Sequence, residues 1–126
     1  GEQLVSHAVV TTRWIRLDDD HRLRTAYVDA VATLPDRQRR GYGSAVIRQL
    51  AADLGDYDIA CLETDRPAFY ARLGWDLWRG TLAGIRGAEV IPTPDQQGVM
   101  ILRLARSPAL DLDADLAIEC QGDRIW

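Results

Sequence analysis

Seven residues, Gln38-Arg39-Arg40-Gly41-Tyr42-Gly43-Ser44, carry the first chemical signal in this chain. The two glycines let the backbone turn so that successive N–H groups point into one concavity. Ser44 to Leu54 then places Val46, Ile47, Leu50, Ala51 and Leu54 at helical spacing. The loop therefore opens a helix whose free N–H groups and positive dipole end face the same space. Arg37, Arg39, Arg40 and Arg48 add charge, and no acid interrupts residues 37 to 52. Such a constellation suits a phosphate-bearing ligand, and it equally suits a solvated basic loop ahead of a helix. It lacks the Gly-Lys-Ser/Thr of a P-loop and the G-x-G-x-x-G of a dinucleotide fold.

Asp29 is the second signal, because it interrupts the otherwise apolar run Tyr27-Val28-Asp29-Ala30-Val31-Ala32. Burial there would raise its pKa toward the range of a general base, whereas strand alternation could turn it to solvent. A third signal is acidic. From Ser107 onward Asp111, Asp113, Asp115, Glu119, Asp123 and the terminal carboxylate face only Arg124 in return. Leu110, Leu112, Ala114, Leu116 and Ile118 alternate with those acids, which predicts an extended segment with one buried face. Acids near a cleft would favour a polyamine, although a solvated acidic face accounts for most of them.

These residues need a scaffold, and the chain has enough apolar content for one. Its 126 residues are 47% hydrophobic and 27% charged, which excludes disorder and predicts a single domain over residues 1–126. The net charge of −4 argues against nucleic acid as the main partner. All 15 cations are Arg, so no Lys can serve as a base or form a Schiff base. No apolar run is long enough to cross a membrane and no secretory signal is visible, so a cytoplasmic protein without membrane partners is expected. Cys61 and Cys120 with His7 and His21 do not make metal-ligand spacing, so no metal is expected. Cys61 reads as core.

The elements follow from periodicity. Leu4 to Leu17 and Leu23 to Leu34 are rich in Val, Thr, Ile and Trp, with Asp18-Asp19-Asp20-His21 between them, which predicts a hairpin. After the helix to Leu54, with Gly55 at its C-terminal end, Ile59 to Leu62 is a continuously apolar strand. Pro67 to Leu73 is a short helix ended by Gly74. Trp75 to Trp78 and Val99 to Leu104 read as strands, with a loop or irregular hairpin over Gly80 to Gly98. The order β-β-α-β-α-β-β, with a parallel crossover between residues 23 and 62, predicts an α/β or α+β domain on a mixed sheet.

Gln38-Arg39-Arg40-Gly41-Tyr42-Gly43 resembles the Q/R-x-x-G-x-G/A loop of the GNAT superfamily of N-acetyltransferases. Phe69-Tyr70-Ala71-Arg72-Leu73-Gly74-Trp75 is similar to the Y-x-x-x-G-F/W segment of that family. Trp78-Arg79-Gly80, Thr93-Pro94-Asp95 and Gly122-Asp123-Arg124-Ile125-Trp126 resemble the aminoglycoside 2′-N-acetyltransferases within it, and that similarity runs over nearly the whole chain. The resemblance implies acetyl-CoA as co-substrate, with its pyrophosphate on Gln38, Arg39, Arg40, Gly41, Tyr42, Gly43 and Ser44. It implies a pantetheine arm paired with the backbone of Val31, Ala32 and Thr33.

Acetyl transfer from a thioester to an amine needs a held donor, a deprotonated amine, oxyanion stabilisation and an acid for the thiolate. The resemblance makes Tyr70 that acid, a task a phenol suits, although a Tyr beside Phe69 and Leu73 could simply pack. It places Asp29 where the family has a Glu that reaches the amine through water. Ala30, Glu63, Asp95, Gln96, Asp123 and the carboxylate of Trp126 complete the expected acceptor side. Gln96 and Gln97 stand where the family shows acids. The expected acceptor is a cationic small amine, an aminoglycoside or similar amino sugar; another small amine, or an acyl-CoA-binding module without turnover, are the alternatives. Family members begin with a strand and two helices, whereas this chain opens at the hairpin. An N-terminally truncated fold is therefore expected, with one sheet edge left bare and a homodimer as the consequence.

Overall fold

A computed structural model of the protein describes residues 6–18, 21–33 and 52–126, with the side chains of 6–8 and 30–33 left aside. The glycine-arginine loop at 38–44 and most of the helix expected from Ser44 lie outside the described residues. Ala52 and Asp53 are helical, and Leu54 beyond them is buried.

The hairpin forms as the β-branched runs predict. Strands β1 (Ser6–Leu17) and β2 (His21–Thr33) pair antiparallel from Leu17↔His21 to Ser6↔Thr33. Strand β3 (Ile59–Glu63) pairs parallel with β2, completing the crossover. Helix α1 (Pro67–Ala71) starts on its proline, which fits the first turn where an N–H has no partner. Gly74, at φ 95°, ends that turn in a conformation a side chain would resist. Strand β4 is shorter than expected, Asp76–Leu77, and β7 (Val99–Arg103) lies between it and β3.

Three further strands correct the expected order. Of the two expectations for Gly80 to Gly98, loop or irregular hairpin, the hairpin forms, from β5 (Leu82–Arg86) and β6 (Glu89–Pro92). Gly87, at φ 62°, opens its two-residue turn, the position where a primed turn needs glycine. The sequence signal was weak because β6 is exposed and β5 contains Gly84, against which Ile125 and Cys120 pack. The alternating acidic segment is a strand only at β8 (Leu116–Glu119), although Leu110, Leu112 and Ala114 do turn to the core. The result is one mixed sheet of eight strands in the order β4-β7-β3-β2-β1-β8-β5-β6.

Alternation sorts the core into two faces. Leu23 and Tyr27, Ile59 and Cys61, and Val99 and Ile101 join Ile15, Leu17, Leu116, Ile118, Trp78 and Trp126 on one face. Ala26 and Val28, Ala60 and Leu62, and Met100 and Leu102 join Leu54 and Trp75 on the other. On its other side β1 pairs with β8 over Ile15 to Leu17 alone, and Gln121 donates to the Thr12 carbonyl at 3.2 Å. Both cysteines are free, and burial pushes the Cys61 thiol far above its usual pKa, so it is core rather than nucleophile.

Candidate active site

The central feature is a ladder that stops. Strands β2 and β3 pair at Thr25↔Ile59, Ala26↔Ala60 and Tyr27↔Cys61, and no further, although β2 runs on to Thr33 and β3 to Glu63. Beyond Tyr27, β2 is paired only on its β1 side. There the register shifts between His7↔Ala32 and Val9↔Asp29, so β2 carries one residue more than β1 around Ala30 and Val31. A bulge of this kind bends a strand and re-aims its backbone groups. Among the described residues, the β2 edge from Val28 to Thr33 has no strand beside it. The expected donor-binding residues Val31, Ala32 and Thr33 lie on that edge, and Ala30 lies at the bulge. A carbonyl-bearing chain laid into the gap would find free N–H and C=O groups there.

Tyr70 stands on the same side of the sheet as the start of this gap. It packs with the cluster that contains Val28 and Leu62, the residues just past the last paired rung. Its ring meets Trp75 edge-on at 5.9 Å and Phe69 at 5.0 Å. Burial raises its pKa and Arg66 nearby lowers it, with burial the larger influence. A phenol so placed stays protonated through neutral pH and keeps a proton to give. Packing and acid role are thus compatible in one residue.

Asp29 lies two residues past the last rung, on the opposite face. It is half-buried and paired rather than buried alone. The Arg124 guanidinium grips it with both arms: Nη2 donates to Oδ1 at 2.7 Å and Nη1 to Oδ2 at 3.2 Å. Arg124 also lies 5.0 Å from the Tyr27 ring centroid and donates from Nε to the main-chain oxygen of Trp126 at 3.4 Å. Asp29 holds the Arg124 pKa above its usual value. The C-terminal Trp126 is buried in the core, with Nε1 donating to Thr93 Oγ1 at 3.3 Å. Through Arg124 the main-chain oxygen of Trp126 lies beside the guanidinium that grips Asp29.

A cleft of about 710 Å³ opens beside the end of β3, lined among others by Glu63, Asp65, Trp78, Arg79, Gln96 and Gly98. Gln96 donates its amide to Glu63, so these two expected residues meet. Gly98, at φ 72°, lets the chain pass against Thr64; a Cβ there would sit 1.9 Å from the Thr64 carbonyl oxygen. Arg79 leans away to Asp113 at 3.1 Å, leaving Glu63 and Asp65 as the acids of the cleft wall. Asp95 and Asp123 are exposed and belong neither to that lining nor to the Asp29 pair.

Two arginines went unrecognised in the sequence. Arg124 was visible only as the lone cation of an acidic tail. Arg13 gave no signal at all, standing in a strand where alternation alone would place it inward. It is 1% exposed, donates from Nη2 to the Glu119 carbonyl at 3.1 Å, and lies 5.0 Å from the Tyr27 ring. Among the described residues its Nε and Nη1 have no hydrogen-bond partner. Burial is the largest influence on it and lowers its pKa. Among the described residues no group of three or more His, Cys, Asp or Glu could hold a metal.

Comparison with known proteins bears on this geometry. Residues 1–78 match the family described as "Acetyltransferase (GNAT) domain". The chain is 32% identical over 130 aligned positions to an aminoglycoside 2′-N-acetyltransferase of Mycolicibacterium fortuitum, an alignment covering 98% of this chain and 66% of that protein. Among solved structures, the fold is similar to YhbS, a GNAT-family N-acetyltransferase of Escherichia coli in complex with CoA. The TM-score is 0.66 at 16% identity, covering 94% of this chain and 61% of that one. It is also similar to Eis1 of Mycobacterium abscessus, with a TM-score of 0.58 at 23% identity over 64% of this chain and 22% of that one. A sheet parted between two parallel strands, a bulge at the parting and a match over residues 1–78 lead to one conclusion: this chain belongs to the GNAT acetyltransferase family.

Proposed function

We propose that the protein is an acetyl-CoA-dependent N-acetyltransferase acting on an amine of an aminoglycoside or similar amino sugar, a reaction of the antibiotic-resistance type. The observation that carries the reading is the edge of β2 beyond Tyr27↔Cys61, which no strand among the described residues pairs. A pantetheine arm pairs there with the backbone of Val31 to Thr33, and its thioester reaches the gap. The acceptor amine approaches from the face that holds Asp29, Trp126 and the Glu63–Gln96 cleft. It loses a proton through Asp29 and attacks the thioester carbonyl directly. The C–N bond forms as the C–S bond breaks, an N–H of the bulged strand supports the oxyanion, and Tyr70 protonates the departing thiolate. The pyrophosphate of the coenzyme is assigned to residues 38 to 44 on the resemblance alone.

The aminoglycoside assignment draws support from the 32% identical relative, of whose length this chain spans 66%. A different small amine is the second reading, favoured by Gln96 and Gln97 at positions where acids were expected and by the engagement of Asp29 with Arg124. A homodimer and a cytoplasmic location remain part of the proposal. Val90 on edge strand β6, 58% exposed, offers a place for a second copy. No described helix is long and apolar enough to cross a membrane.

Release of free thiol from acetyl-CoA, measured across a panel of aminoglycosides and simpler amines, tests the proposal. Turnover with kanamycin-type amines is the expected result. Turnover confined to other amines replaces the acceptor; coenzyme binding with no turnover on any amine overturns the enzyme assignment in favour of an acyl-CoA-binding module.

A further inference from the structure

We propose that Arg124 tunes acceptor specificity by occupying the carboxylate of Asp29, so that polycationic amines bind less tightly than an open Asp29 would allow. The inference rests on the reading above in one respect, that Asp29 faces the acceptor. Both oxygens of Asp29 accept from the same guanidinium, at 2.7 and 3.2 Å, and Nε of that group turns to the terminal oxygen of Trp126. One side chain thus takes up both oxygens of Asp29 and a main-chain oxygen of Trp126, acceptors that an ammonium would seek. Bidentate pairs of this kind are among the stronger charge contacts, and the planar fork gives up little freedom in making them.

The fork is also held in place from behind. Gln121 and Arg124 exchange backbone hydrogen bonds at 3.0 and 2.9 Å across a tight turn. Arg86 donates to the Gly122 carbonyl at 2.9 Å, Gln121 donates to Thr12, and Trp126 is sunk into the core. Arg124 is therefore presented to Asp29 by an anchored tail, and its stacking on Tyr27 fixes the side chain further. An incoming ammonium must either displace the fork or approach a carboxylate already neutralised. Glu63 and Asp65 lie in the cleft beside the end of β3, so a cation is favoured there and not at Asp29. An acceptor with a single charged amine loses nothing by this division; a polycation still binds at Glu63 and Asp65, with one charge fewer matched at Asp29.

Calorimetry with kanamycin, a polycation, tests it on four forms of the full chain: wild type, Arg124→Gln, Asp29→Asn and the double variant. Arg124→Gln is expected to bind about tenfold more tightly than wild type, equivalent to about 1.4 kcal/mol, and the gain is expected to vanish in the double variant. Arg124→Lys, which keeps a cation but loses the fork, is expected to gain about threefold and stands in should Arg124→Gln fail to fold. Equal or weaker binding by the folded Arg124 variants overturns the proposal, as does a gain that persists without Asp29. Thiol release from acetyl-CoA is scored separately. If no amine is acetylated by any form, the proposed activity falls, while the binding shifts still decide the role of Arg124.

Discussion

The two halves of β2 differ in what flanks them. From Thr25 to Tyr27 the strand is paired on both sides and its side chains are buried on both faces. From Val28 to Thr33 it is paired on one side, bulged, and carries a carboxylate. The closed half binds the sheet together; the open half has no strand on its other side among the described residues, and a folded protein keeps such backbone groups only where something else satisfies them. On the proposed function, stability and chemistry divide along a single strand, at the rung Tyr27↔Cys61. Substitutions on either side should fail in different ways.

The largest expected effect lies at the open half. Tyr70→Phe should lower kcat by about 100- to 1,000-fold, the range of a lost general acid, with coenzyme affinity and thermal midpoint nearly unchanged. An unchanged kcat would remove Tyr70 from the chemistry and leave it a packing residue. In the same enzyme, the activity assigned to the protonated phenol should hold through neutral pH. Because burial raises the Tyr70 pKa, the loss should come only above the ordinary phenol range. A pH–rate profile falling at lower pH would point to another acid.

At the closed half, Ile59→Ala removes a side chain 1% exposed and should cost about 3–4 kcal/mol of stability. Urea unfolding measures it. Turnover per folded molecule should stay near wild type, and a large loss there would deny the division between the halves.

Gly98→Ala probes the cleft wall, where φ is 72° and a Cβ would meet the Thr64 carbonyl at 1.9 Å. The strain should lower stability by about 1–3 kcal/mol and raise the acceptor KM, with coenzyme binding preserved. A variant with wild-type KM would separate the cleft from the acceptor.

The smallest effect is electrostatic. Glu119 anchors β8 through Arg22 at 2.7 Å and Arg16 at 3.6 Å, and the hydrogen bond from Arg22 leads the causes that depress its pKa. A depressed carboxylate contributes stability above its unfolded pKa and loses it as pH falls through the folded value. Glu119→Gln should therefore unfold at slightly lower urea than wild type at pH 7, and the difference should close in acid below the usual carboxylate range. A difference that persists in acid would assign the effect to packing.

Much of this architecture was legible in the residues themselves. The β1–β2 hairpin, the parallel β3 and the short helix at Pro67 follow from β-branched runs, continuous apolar character and proline and glycine punctuation. All of these act within a few positions of chain. Tyr70 is singled out by its motif and Asp29 by its contrast with apolar neighbours, and their catalytic roles are part of the proposal. For β5, β6 and β8 the sequence offered only a loop or irregular hairpin and an extended segment, because a strand's bounds and place in the sheet exist by virtue of its partner. Leu82 to Arg86 pairs in parallel with β8, more than thirty residues away, and nothing local signals that.

The site divides in the same manner. Sequence alone determined which chemical groups the chain possesses: a phenol, a lone strand carboxylate, a glycine-arginine loop and an acidic tail with one arginine. Only the tertiary structure decided that this arginine closes on that carboxylate, that Arg13 is buried beside Tyr27 with donors unpaired among the described residues, and that the β2–β3 ladder ends after three rungs. Side-chain type is a local property, but charge pairing and ladder length depend on distances across 95 residues of chain, which only the packed sheet fixes.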